Sequence, residues 1–142
     1  PGKLIVSAYS GFKDVYAQSH PVLEHREGKT MRESMQACLR GTSNIVQLVT
    51  WNDYGEGTMI DPTHEFGYTF LEVIQSERKQ EIGSGFPFVK EDLGLPARLL
   101  ALRRKPNPSA GACDRIATLI EAGDCAAARA ELDRMEANRN PE

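Results

Sequence analysis

One pattern constrains this chain more than any other. Its first eighty residues run as a short apolar segment, a loop and an amphipathic stretch, then the same three again. Residues 3–9 (KLIVSAY) carry apolar side chains on both faces of a β-alternation, so they read as a strand buried on both sides, as in a parallel sheet. Ser10-Gly11 breaks the run. Residues 11–28 hold Gly, Pro and mixed charge and read as a long loop, the kind that carries function in α/β units. Residues 30–40 follow with Met31, Met35, Cys38 and Leu39 on one helical stripe. Thr30 with Glu33 fits a capping box and Gly41 a C-terminal stop. The second strand is residues 44–51 (NIVQLVTW), followed by a loop over 52–63. A helix over about 65–78 then has Phe66, Phe70, Val73 and Ile74 on its apolar face.

Two successive βα units point to a parallel sheet or barrel. Two strands close neither, and 142 residues fall short of the roughly 250 of a complete (β/α)₈ barrel. The opening at Pro1-Gly2, without Met, adds the expectation that a preceding segment supplies the rest. The expected fold class is therefore α/β: residues 1–84 are the C-terminal βα units of an incomplete (β/α)₈ barrel. Residues 85–142 are a helical extension, and Gly and Pro around Phe86 and Phe88 mark the boundary. In that extension residues 96–105 read as a helix anchored by Leu99, Leu100 and Leu102 and ended by Pro106, Asn107 and Pro108. Residues 113–122 and 124–137 read as an antiparallel hairpin, with Gly123 at C′ of the first helix and Asp124 as N-cap of the second.

Several classes are disfavoured. A net charge of −3 from 17 basic and 20 acidic residues argues against a nucleic-acid binder. The cluster Arg103-Arg104-Lys105 reads as the last turn of a helix, where the dipole favours cations. Cys38, Cys113 and Cys125 form no CxxC pair and read as small buried or half-buried side chains, so no metal site is expected. His64 and Glu65 read as first-turn helix positions. No apolar run has the length of a membrane span. Localisation stays open, secretion or a periplasmic home included, because a preceding segment could carry a signal.

The chemistry concentrates in Trp51-Asn52-Asp53-Tyr54-Gly55-Glu56-Gly57-Thr58, directly after the second strand. By composition alone an Asn-Asp-x-Gly cluster there is a turn. Read functionally, Asp53 and Glu56 bring two carboxylates to one loop. One, protonated, can serve a leaving oxygen; the other can take a proton from water or a hydroxyl. Gly55 and Gly57 allow a sharp turn. Trp51 and Tyr54 offer flat faces for a sugar ring, and Asn52 both donates and accepts.

The string WNDYGEGTMIDP resembles the signature of glycoside hydrolase families 71 and 99. Family 71, α-1,3-glucanases, reads Trp-Asn-Asp-Tyr-Gly-Glu at this barrel strand. Family 99, endo-α-mannosidases and endo-mannanases, continues with Gly-Thr-x-Ile-Glu-Pro, matched here by Gly57, Thr58, Ile60 and Pro62. The resemblance implies that Glu56 is the general acid/base and Asp53 its partner carboxylate. Asp61 stands where family 99 has Glu. The likeness covers roughly residues 3–75. It extends to SAYSGF, with Tyr9 and with Ser10 in place of Pro, and to Arg26-Glu27-Gly28, where Arg26 could meet substrate hydroxyls.

Together these readings predict a glycoside hydrolase acting on an α-linked polysaccharide or glycan. Glu56 and Asp53 are its catalytic residues, and Trp51, Asn52, Tyr54, Tyr9, Arg26 and Asp61 contact the substrate. The implied partner is carbohydrate, with no nucleic acid, membrane span, cofactor or metal. As part of a longer chain, the segment is expected to be inactive alone. Two alternatives remain open: a carbohydrate-binding relative without turnover, and a protein-interaction role for the C-terminal helices.

Overall fold

The computed structural model describes residues 4–17, 21–41, 45–106 and 109–137. Lys3, Asn44, Asn107 and Pro108, which entered the readings of the strand and helix ends, lie outside them. The protein is mixed α/β and divides into two compact units, residues 1–86 and 87–142.

The first unit holds strands β1 (Ile5–Tyr9) and β2 (Ile45–Val49) and helices α1 (Lys29–Arg40) and α2 (Thr69–Ile82). The strands pair in parallel, Ile5 opposite Ile45 and Tyr9 opposite Val49. Alternation sends Val6, Ala8 and Val46 to one face of this two-stranded sheet. There they meet Met31, Met35 and Cys38 of α1 and Phe70 and Val73 of α2 in a single core. The expected burial on both faces is not found: Ile5 is 57 % and Ile45 51 % exposed. The physical reason is that both helices pack on the same side of the sheet.

Several helix ends depart from expectation. Thr30 and Glu33 form no capping box. The Thr30 hydroxyl donates to the carbonyl of Glu24, while Arg26 takes Glu33. α1 instead starts at Lys29 after a left-handed Gly28 (φ 84°). A side chain on Gly28 would press Thr69 and Val73, so glycine there lets α1 approach α2. Gly41 follows α1 in an extended conformation, its N–H donating to Cys38. α2 begins four residues later than expected. Thr63 accepts the N–H groups of Phe66 (hydroxyl) and Gly67 (carbonyl) in a turn that Gly67 closes at φ 55°. His64 and Glu65 therefore sit exposed in this turn, not in a first helical turn. Phe66 still packs on the core from outside the helix. Between the helices the Glu77 carboxylate, 3 % exposed, is held by Arg32.

The second unit contains α3 (Leu95–Arg103), α4 (Ala110–Glu121) and α5 (Cys125–Ala137). Leu95, Leu99, Leu102, Cys113, Ile116, Ala128 and Leu132 form its core. Leu100, expected as an anchor, is 47 % exposed because it lies one position off the buried stripe. Gly123 (φ 75°) donates to Ile120 and Asp124 to Leu119, the paired bonds of a Schellman stop. The Asp124 carboxylate then accepts the N–H of Ala127 and caps α5. Asp92 accepts the N–H of Val89 and pairs with Arg129. Cys38 and Cys113 are buried and Cys125 half-buried. Among the described residues no helix is long and apolar enough to cross a membrane.

Candidate active site

β1 and β2 end side by side at Tyr9 and Val49, and the chain leaving each strand builds the site. After β2, through a cis Val49–Thr50 peptide, residues 50–61 fold back on themselves. Thr50 donates its N–H to the Thr58 carbonyl at 2.8 Å, and the two threonine hydroxyls bond at 2.9 Å. Ile60 and Asp61 both donate to the Trp51 carbonyl. Within this loop the Asp53 carboxylate accepts the Glu56 N–H at 3.0 Å, and the Asp53 carbonyl accepts the Thr58 N–H at 3.1 Å. That Asx-type bond is what Asp at this position does well in a turn.

After β1, Ser10 is fully buried and its hydroxyl donates to the Met59 carbonyl at 2.9 Å. Lys13 and Val15 then lay their N–H groups on the carbonyls of Glu56 and Gly55 at 2.8 and 2.9 Å. The Tyr16 ring lies so close to Gly55 that a side chain there would collide with it. At Gly57 (φ 64°) a side chain would press the backbone of Lys13. From below, His25 Nε2 lies 2.7 Å from the Gly57 carbonyl. That carbonyl only accepts, so Nε2 carries the proton. The imidazole packs on Phe66 and Phe70, ring centroids 4.8 and 5.5 Å away.

The result is a pocket of about 440 Å³ at the C-terminal ends of the two parallel strands. Tyr9 and Val49 line it from the strand ends, Phe12 and Leu23 from a bridge between the flanking segments, and Glu56 and Thr58 from the loop. Glu56 is exposed and Asp53 half-buried. Of the residues proposed for the site, Glu56 and Tyr9 line this pocket; Asp53 lies in the same loop and holds the backbone of Glu56. Trp51, Asn52 and Tyr54 are exposed on the loop. Tyr54 donates its hydroxyl to Asp61 at 2.7 Å. That bond to an acceptor holds the phenol above its ordinary value of 10.0, burial and the Asp61 charge adding to the effect. The second Asp61 oxygen is buried without a partner among the described residues. Arg26 does not join the pocket: its guanidinium binds Glu33 and the Thr30 hydroxyl.

Sequence reasoning did not single out His25 or Thr50; it noted Ser10 only as standing in place of Pro, and weighed Tyr16 as a substrate contact against the more common exposed tyrosine, giving neither a part in shaping the loop. Thr58 stood in the motif string with no role. Ser10, Tyr16 and His25 carry no local signal for that part, since their partners lie far along the chain. Among the described residues no group of three or more His, Cys, Asp or Glu is placed to hold a metal. Compared with protein-family models, curated proteins and solved structures, the chain finds no match.

Proposed function

We propose that residues 1–86 are βα units of a glycoside hydrolase barrel resembling families 71 and 99, completed by further strands of a longer chain. Glu56 is the proton donor and Asp53 the partner carboxylate, acting on an α-linked glycan or polysaccharide. The observation that carries this reading is the position of Glu56, in a pocket at the C-terminal ends of two parallel strands. That is where (β/α)₈ enzymes place their chemistry. The exposed face of the sheet, where Ile5 and Ile45 stand beside Ser7 and Gln47, is what further strands of a barrel would cover. Glu56, as the acid, gives its proton to the glycosidic oxygen; Asp53 takes one from water or a sugar hydroxyl.

A second reading is favoured by one contact. Asp53 spends one oxygen on the Glu56 N–H, so it serves the loop, and the site could bind sugar without turnover. Substitution separates the two. In the full natural protein, release of reducing sugar from α-mannan and α-1,3-glucan is measured for Glu56→Gln and Asp53→Asn. Asparagine keeps an acceptor for the Glu56 N–H but is no base. The hydrolase reading expects both variants to fall about 10²–10⁴-fold, with sugar binding retained. Activity that survives Asp53→Asn would make Asp53 a loop residue. No release by the unsubstituted protein, with sugar still bound, would leave the binding reading standing.

A further inference from the structure

The lining of the Glu56 pocket has a chemistry that the two carboxylates do not explain. Among the described residues, its lining side chains besides Glu56, Tyr9 and Thr58 are hydrocarbon: Phe12, Val22, Leu23 and Val49, with Pro21. The Thr58 hydroxyl is engaged by Thr50. Phe12 and Leu23 exchange their backbone N–H and C=O groups with each other at 2.8–2.9 Å, which leaves the wall with few free polar groups among the described residues. A pyranose carries hydroxyls around its ring, and against this wall they would lose water without gaining partners. Hydrocarbon loses nothing there and gains by leaving water. Val22 is 52 % and Leu23 37 % exposed, so the wall presents apolar surface that a ligand would cover.

A general acid stands between the sugar and the group that departs with the oxygen. The wall beside Glu56 is unsuited to the sugar and therefore belongs to the departing group. Resting on the proposed role of Glu56 but not on a polymer substrate, whose departing group would be a second sugar, we propose that this pocket is the leaving-group side of the site and takes an apolar aglycone. The ligand class is an alkyl or aryl group joined to a sugar through the glycosidic oxygen. In the reaction the Glu56 proton passes to that oxygen as the bond from the anomeric carbon breaks, and the bonding pair leaves with the oxygen. Water adds its hydroxyl to the anomeric carbon and leaves its other proton on the carboxylate pair. The products are the free sugar and an alcohol or phenol.

The test uses hexyl and methyl α-mannosides and α-glucosides with the full natural protein. Affinity is read by calorimetry and hexanol release by chromatography. Val22→Ser, Leu23→Ser and Glu56→Gln are run alongside, their folding checked by circular dichroism; Val22 and Leu23 reach solvent, so serine is tolerated. The hexyl glycoside of one sugar is expected to bind about tenfold or more tighter than its methyl counterpart, from the added methylenes buried. That gain shrinks severalfold in both serine variants and persists in Glu56→Gln, which loses hexanol release. Equal affinity for hexyl and methyl glycosides, or a gain untouched by both serines, overturns the proposal. Polymer hydrolysis without a hexyl gain leaves the hydrolase reading standing and removes the apolar aglycone. A hexyl gain that depends on the serines but comes without hexanol release leaves an apolar ligand site and removes the hydrolase.

Discussion

The two units satisfy the backbone of their connecting segments in different ways. In residues 87–142 the groups between helices are closed by near neighbours: Gly123 and Asp124 donate to carbonyls three and five residues back, and Asp124 caps the next turn. In residues 1–86 the loop at 50–61 is also closed from far along the chain. Ser10 reaches Met59, Lys13 and Val15 reach Glu56 and Gly55, and His25 reaches Gly57. Local closure yields a helical stack whose ends are finished. Distant closure holds an exposed acid against a pocket. The loop makes its own backbone bonds as well, and the other segments add to them.

The largest effects come from the cores that support each pattern. Leu132→Ala, at a fully buried site, is expected to cost about 2–5 kcal/mol, and Phe70→Ala about 3–5 kcal/mol. Urea unfolding measures both. The comparison adds a second readout. Phe70 supports the His25 ring, which holds Gly57, so hydrogen exchange at 55–58 should quicken in Phe70→Ala. Unchanged exchange there would mean that the loop stands without its distant support.

How much of this was legible follows the same division. Gly123-Asp124 was readable because both ends of each bond lie within five residues, and glycine followed by aspartate has few other uses there. The pair Thr30 and Glu33 showed an equally local signal and misled, because Arg26 and the Glu24 carbonyl took those side chains first. The start of α2 was misplaced for a similar reason: Phe66 keeps the apolar period of the helix, but the turn at 63–67 holds its backbone. At the site, the position of Glu56 after a strand was readable. The tie from Asp53 to the Glu56 N–H concerns how one loop folds, which two carboxylates three apart do not determine. His25 was invisible, since its meaning lies in a carbonyl thirty-two residues away.

A middle-sized test compares two left-handed glycines. At Gly123 an added side chain meets only the Phe88 ring, at 3.8 Å. Gly123→Ala should cost the conformational strain alone, about 1–2 kcal/mol. At Gly57 the same strain is joined by a 3.2 Å approach to the Lys13 backbone, so Gly57→Ala should cost more. It should also loosen the Lys13–Glu56 bond, seen as faster exchange of the Lys13 amide. Equal costs at the two glycines, with Lys13 protected in both variants, would break the contrast between near and distant closure.

The smallest effect asks whether the contrast reaches surface charges. Arg26 donates to the Glu33 carboxylate and holds it below its ordinary value of 4.5, against a slight upward push from burial and with smaller help from the charges of Arg26 and Lys29. The folded state then favours ionised Glu33. Its contribution to stability is present above about pH 4.5 and is lost as pH falls through the lowered value. Both side chains are well exposed, so the contribution is small and screened by salt. Titration of the Glu33 carboxyl by NMR should show its midpoint move up toward the ordinary value in Arg26→Met. Should it stay low, with Thr30→Val raising it instead, Glu33 would be serving the local cap that its spacing suggests. The start of α1 would then be closed by near neighbours, as its end at Gly41 already is.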